Sequence, residues 1–211
     1  HRALRLSAKD LSVQFDLASA TSQSFCAVAG GEAVALLGDD AKVQTAIVTL
    51  ADGLPHPIEN LSAQLVHRGY LYAIDSRTKE PPYPELSINL ATGERTELTD
   101  LPVDKEDTHP TLTASNGYVI RRTDHIQVRK NGSATALLTR ESTEEESYQS
   151  AAIYGSILYL TLSGGRLHLI DLDTGEVISQ SRTGGQHEIV TVTPYGFCNE
   201  SAFYPATAWQ T

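Results

Sequence analysis

Apolar positions recur along the chain as short runs, each broken by a glycine-containing turn and followed by a second run. One unit reads strand, turn, strand: Phe25 to Leu36, Gln64 to Ile74, Leu112 to Ile120, Ala151 to Leu160 and Ile189 to Phe197. Its turn glycines, Gly31, Gly69, Gly117, Gly155 and Gly196, are spaced 38, 48, 38 and 41 residues apart. A second strand–turn–strand unit follows each of the first four, turning at Asp52-Gly53, Ala91-Thr92-Gly93-Glu94, Lys130-Asn131-Gly132-Ser133 and Asp173-Thr174-Gly175-Glu176. These glycines lie 40, 39 and 43 residues apart. Asn-Gly, Asp-Gly and Thr-Gly supply the left-handed backbone that a tight hairpin needs. Leu167 and Leu169 alternate with His168 and Ile170, a period of two that predicts a strand with two unlike faces. No segment carries an apolar helical stripe with caps, so little helix is expected.

Two hairpins per period of roughly 40 residues make a four-stranded meander, the size of a β-propeller blade. The ends fit the same scheme. Residues 3–17 read as a second unit with no first unit before it, and residues 188–209 as a first unit with no second unit after it. Paired, they would form one blade from both termini and leave no open sheet edge at the seam. The expected fold is therefore all-β: a closed β-propeller of about five four-stranded blades. The chain, 1–211, is read as one domain with blades at 23–60, 62–100, 108–142, 148–183, and 188–211 together with 1–20. A β-sandwich or two small β-domains would be the competing arrangement of many short strands; the glycine spacing and the complementary ends favour the propeller.

The segment Gly165-Arg-Leu-His-Leu-Ile-Asp-Leu-Asp-Thr-Gly-Glu-Val-Ile178 resembles the repeat of pyrroloquinoline-quinone-type propellers, and Gly69-Tyr-Leu-Tyr-Ala-Ile-Asp75 is similar to the other half of that repeat. The resemblance implies a propeller strand–turn–strand rather than a chemistry. Members of that family lock their blades with recurring tryptophans, whereas this chain has Trp209 alone, so no quinone site is carried over and no cofactor is expected.

Charge narrows the partners. Asp and Glu number 26 against 16 Lys and Arg, a formal net charge of −10. Long-range repulsion argues against nucleic acid and anionic membranes as partners. The longest apolar stretch, Phe25 to Leu37, is interrupted by Gly30, Gly31 and Glu32, too short and broken to span a bilayer. The chain begins at His1 with no signal-type segment and reads as a processed or excised piece. Three of its five asparagines, Asn60, Asn131 and Asn199, head N-x-S sequons. Chance in a Ser/Thr-rich chain and extracellular glycosylation both fit, and an extracellular or periplasmic setting is favoured over the cytoplasm.

Candidate chemistry is sparse. Loops that enter each blade, and those that join its second and third strands, share one propeller face. Here that face would collect Asp39, Asp40, Asp75, Asp104, Asp107, Asp124, Glu144, Glu145 and Glu146. Such a face suits a basic partner or calcium, or simply a solvated rim; no spacing matches a metal-binding loop, and no metal is expected. The longest insertion, Asp75 to Glu85, holds Pro81, Pro82 and Pro84, which would stiffen it and present Tyr83 as a contact residue. His109 and His187 lie on loops entering blades, where Asp107 or Glu188 could make acid–base pairs with them. Yet no nucleophile elbow, zinc-protease helix or Walker loop accompanies them. Cys26 and Cys198 fall in blades that would adjoin across the seam; a disulfide staple and two buried thiols both fit. The expected function is a non-enzymatic protein-interaction module, with binding residues Tyr83, Asp107, His109, Glu144, Glu145, Glu146 and His187. The alternative is an extracellular carbohydrate-binding or glycan-hydrolysing propeller.

Overall fold

A computed structural model of the chain describes residues 2–6, 9–18, 25–29, 32–39, 42–49, 55–75, 77, 83–102, 110–143, 147–182, 189, 191–193, 195–199 and 202–205. Among these residues the regular structure is strand throughout, apart from one 3-10 turn at Ser163–Gly165. No helix among them is long and apolar enough to cross a membrane. The chain divides into two compact units, His1–Leu98 and Thr99–Thr211.

The first unit opens with β1 (Arg2–Leu6) and β2 (Val13–Ala18), an antiparallel two-stranded sheet. Next comes a four-stranded meander of β3 (Phe25–Ala29), β4 (Glu32–Asp39), β5 (Lys42–Thr49) and β6 (Pro55–Ile58). A second meander follows, of β7 (Leu61–His67), β8 (Tyr70–Asp75), β9 (Glu85–Asn89) and β10 (Arg95–Glu97). Its first strand, β7, lies against β3, β4 and β5 of the preceding sheet. Leu61, Ala63, Val66, Leu71, Ala73, Leu86 and Ile88 form the described core of this unit.

The second unit repeats the plan. One meander runs β11 (Thr111–Ser115), β12 (Tyr118–Arg122), β13 (His125–Lys130), β14 (Leu138–Glu141); the next runs β15 (Tyr148–Tyr154), β16 (Ile157–Leu162), β17 (Arg166–Asp171), β18 (Val177–Arg182). A three-stranded sheet of β19 (Thr191–Thr193), β20 (Gly196–Cys198) and β21 (Phe203–Pro205) completes it. First strands neighbour one another, β11 against β15 and β15 against β19. Apolar side chains of facing sheets fill the space between them. Ile120, Ile126 and Val128 pack with Ile153, Leu158, Leu160 and Ile170. On the far side Ala152, Tyr159 and Leu167 pack with Ile189 and Phe197, and Phe197 stacks on Tyr204 with ring centroids 4.8 Å apart.

That double-sided packing corrects the alternation expected for β17. Leu167, His168 and Ile170 are all buried, His168 with 3% exposure, because a neighbouring sheet covers each face. Middle strands therefore read as near-continuous buried runs, as in β8 and β16. Outermost strands alternate between exposed and half-buried, as β10, β14 and β18 do.

The hairpin turns owe their shape to the residues that the repeat preserves. Asn89 and Asp171 each cap a turn, accepting the backbone N–H two residues on at 2.9 and 2.8 Å. Gly93 and Gly175 then sit at φ +72° and +74° and donate back to the same residues' carbonyls at 2.8 and 2.7 Å. A side chain with a Cβ is disfavoured in that left-handed region.

Among the described residues four sheets have four strands each, matching the four repeats that carry both units. The two smaller sheets lie at the chain's ends, β1–β2 in the first unit and β19–β21 in the second.

Candidate functional site

Among the described residues, polar side chains line a cavity in each unit. In the first unit, β8 ends at Asp75, whose carboxylate is 5% exposed. The Arg77 guanidinium grips it: Nε donates to both carboxylate oxygens at 2.9 Å, and Nη2 donates to Oδ2. The Arg77 backbone N–H adds a bond to Oδ1 at 3.0 Å. Together they hold the Asp75 carboxyl at about 2, below its ordinary 3.8, against the opposing effect of burial. The Asp75 N–H also donates to the Pro84 carbonyl at 2.8 Å, closing the base of the proline-containing loop. Ile58, Glu59, Asn60 and Arg95 complete a shallow cavity of about 350 Å³ beside this clasp.

The second place is a larger cavity of about 710 Å³ in the second unit, along the first strands β11, β15 and β19. Serine hydroxyls bridge β11 to β15, and β15 to Ile189 ahead of β19. Ser115 Oγ accepts the Ile153 N–H at 2.8 Å and donates to the Ile153 carbonyl at 2.9 Å. Ser150 does the same for Ile189, at 3.0 and 3.5 Å. Each first strand is the edge of its own sheet, so its outward backbone groups need such partners. Arg122, opposite Thr111 in the register of β11 and β12, donates from Nη1 to the Gln149 carbonyl. Gln149 is the extra residue of a bulge in β15, where the pairing slips between Tyr148 and Ser150. Bulges re-aim backbone groups in this way, and often beside binding sites.

A buried polar cluster in β13 serves the fold instead. Arg129, 1% exposed, donates to the carbonyls of Ala134 and Thr99 and to Gln127 Oε1. Gln127, fully buried, donates to the Asp100 carbonyl and to Thr139 Oγ1. The pair fastens the segment leading into β11 onto its sheet.

Of the binding residues expected from sequence, Tyr83 is half-buried just ahead of β9. Asp107, His109, Glu144, Glu145, Glu146 and His187 lie outside the described residues. Cys26 lies on β3, with its side chain outside them, and Cys198 is a half-buried free thiol on β20. Two carboxylates expected on the acidic face are paired: Asp75 with Arg77, and Asp124 with His125 Nδ1 at 2.9 Å. Sequence reasoning passed over Arg77 and His125, although both sit within two residues of their partners. It also passed over Ser115, Ser150 and Arg122, whose partners lie 27 to 39 residues away.

Neither a known protein family nor any curated protein matches the chain. Solved structures do. Hsv2 from Kluyvelomyces marxianus superposes with a TM-score of 0.65 at 8% identity, over 94% of this chain and 68% of that one. KlHsv2 with a replaced loop gives 0.63 at 11% identity, over 92% and 67%. BamB from Moraxella catarrhalis gives 0.50 at 14% identity, over 90% of this chain and 61% of its own. The chain thus spans about six-tenths to two-thirds of the length of these structures. BamB and Hsv2 are β-propellers, and at such low identity the likeness is one of fold: the chain is an all-β protein of propeller-like architecture.

Proposed function

We propose that the chain is a non-enzymatic interaction module, a closed five-bladed propeller whose loop face receives a protein partner. In this reading β1–β2 join the outer edge of β19–β21, so that the two incomplete sheets become the fifth blade. Their position at opposite ends of the chain, with four complete meanders between, supports it. The observation that carries the contact surface is the clasp at the root of the longest loop. Asp75 is gripped by Arg77 and bonded through its backbone to Pro84, so the loop leaves the sheet from a fixed base. A base fixed before binding lowers the entropy that a contact there must cost. Tyr83 stands at its exit, and the sequence places Glu144, Glu145, Glu146, Asp107, His109 and His187 on loops of the same face.

The test is charge reversal. Changing Glu144, Glu145 and Glu146 to Lys should slow association with a partner purified from the native source, in a salt-dependent way, and leave the fold intact. Tyr83→Ala should speed dissociation. Unchanged kinetics in both variants place the contact elsewhere. Glycan turnover abolished by mutating carboxylates of the central channel would replace this reading with the hydrolytic one.

A further inference from the structure

The cavity of the second unit holds more polar capacity than the fold consumes. Ser115 and Ser150 are spent on the strand bridges. Thr111, Thr113, Asn116 and Thr191 also line the cavity and are exposed, and their side chains make no hydrogen bond among the described residues. Thr111 and Thr113 share one face of β11, as residues two apart on a strand do. Arg122, directly across the ladder from Thr111, is on that face too. Of its five N–H donors, one serves the Gln149 carbonyl, the sole partner of this guanidinium among the described residues. Arg122 is also the one charged side chain among the described residues that line the cavity. Tyr154, 40% exposed, gives the same cavity an aromatic surface.

We infer that this cavity binds a hydroxylated carboxylate of hexuronate size. A planar guanidinium with free N–H groups matches a carboxylate geometrically and electrostatically. Threonine hydroxyls and an asparagine amide, which both donate and accept, match ring hydroxyls. A tyrosine face suits the apolar side of a sugar ring. An aliphatic ligand would leave these polar groups unmet, and a bare inorganic anion would use the arginine but not the hydroxyls. At about 710 Å³ the cavity is of the size that small-molecule sites have. The site is distinct from the loop contact proposed above, and either can fail without the other.

Sodium D-glucuronate and sodium D-galacturonate, titrated into the whole chain against D-glucose and sodium acetate, test the inference by calorimetry and by amide chemical shifts. One uronate should saturate a single site and bind at least about tenfold more tightly than glucose and than acetate, the factor that ~1.4 kcal/mol represents. Amide shifts should centre on Thr111, Thr113, Asn116 and Thr191. Arg122→Gln should bring the uronate down to the level of glucose. Because that change also removes the contact to Gln149, Thr113→Val is the second variant: it should weaken the uronate several-fold at an unchanged melting temperature. Acetate binding as well as the uronate overturns the inference, as does glucose binding equally well. So do uronate affinities untouched by both variants, or shifts centred on another part of the chain.

Discussion

Replacing Ser115 with alanine tests whether neighbouring sheets are tied at their first strands. The hydroxyl accepts the Ile153 N–H at 2.8 Å and donates to the Ile153 carbonyl at 2.9 Å, so alanine removes two bonds at once. Ile153 is 1% exposed, and its backbone groups face the edge of β15, where no sheet partner can replace the hydroxyl. A net loss of about 1 kcal/mol per bond, with water from the adjoining cavity limiting the penalty, gives about 1–2 kcal/mol. For a chain of this length that lowers the melting temperature by about 2–8 °C. Ser150→Ala should cost about 1 kcal/mol, since its second bond is long at 3.5 Å. The two serines tie β15 to different segments and share no partner, so the double variant should be additive to within about 0.5 kcal/mol. Urea denaturation with a common m-value measures all three, with Thr113→Ala as a control expected to stay within about 0.5 kcal/mol of wild type. A Ser115→Ala protein as stable as that control would show that the bridge contributes nothing and that the sheets are held by apolar packing alone.

Other outcomes follow from particular contacts. At Gly196, φ +150°, an added Cβ would lie 2.0 Å from the Tyr204 carbonyl oxygen and 2.9 Å from Pro205 Cα. Gly196→Ala should therefore cost about 2–3 kcal/mol in urea denaturation and abolish amide protection in β20. Asp75 has a folded value of about 2 against an ordinary 3.8. Its stabilising effect should be whole above pH 3.8, shrink as the pH falls toward 2, and be small throughout, because Arg77 is 66% exposed. Arg77→Ala should raise the Asp75 carboxyl toward 3.8 in an NMR titration; an unmoved value would show that the clasp is not what holds it down. Thiol titration of the unreduced, denatured chain should give no reactive groups if Cys26 and Cys198 pair as a staple, and two if Cys198 stays free as it stands in the structure.

Much of the architecture was legible because it is written in turns. Asn89 to Glu94 and Asp171 to Glu176 make the same set of local bonds, and a local bond set leaves a local sequence trace. Burial was harder to read. His125 to Lys130 alternates like a strand with one wet face, yet Gln127 and Arg129 are buried and bonded to carbonyls of residues 99, 100 and 134. Nothing in a linear pattern tells a polar side chain facing water from one facing a carbonyl brought in from another loop. The cavity was invisible for the same reason. Thr111, Thr113 and Arg122 are ordinary strand residues until the register sets them together, and Gln149 matters only because β15 bulges there.

The proposed ring closes through the two ends of the chain. Interstrand backbone NOEs in a labelled sample measure that closure directly. Contacts from residues 2–18 to residues 191–205, in an antiparallel or parallel ladder, would place both segments in one blade as proposed. A well-resolved spectrum in which β1 and β2 give ladder NOEs only to each other, and β21 keeps an unpaired outer edge, would contradict it.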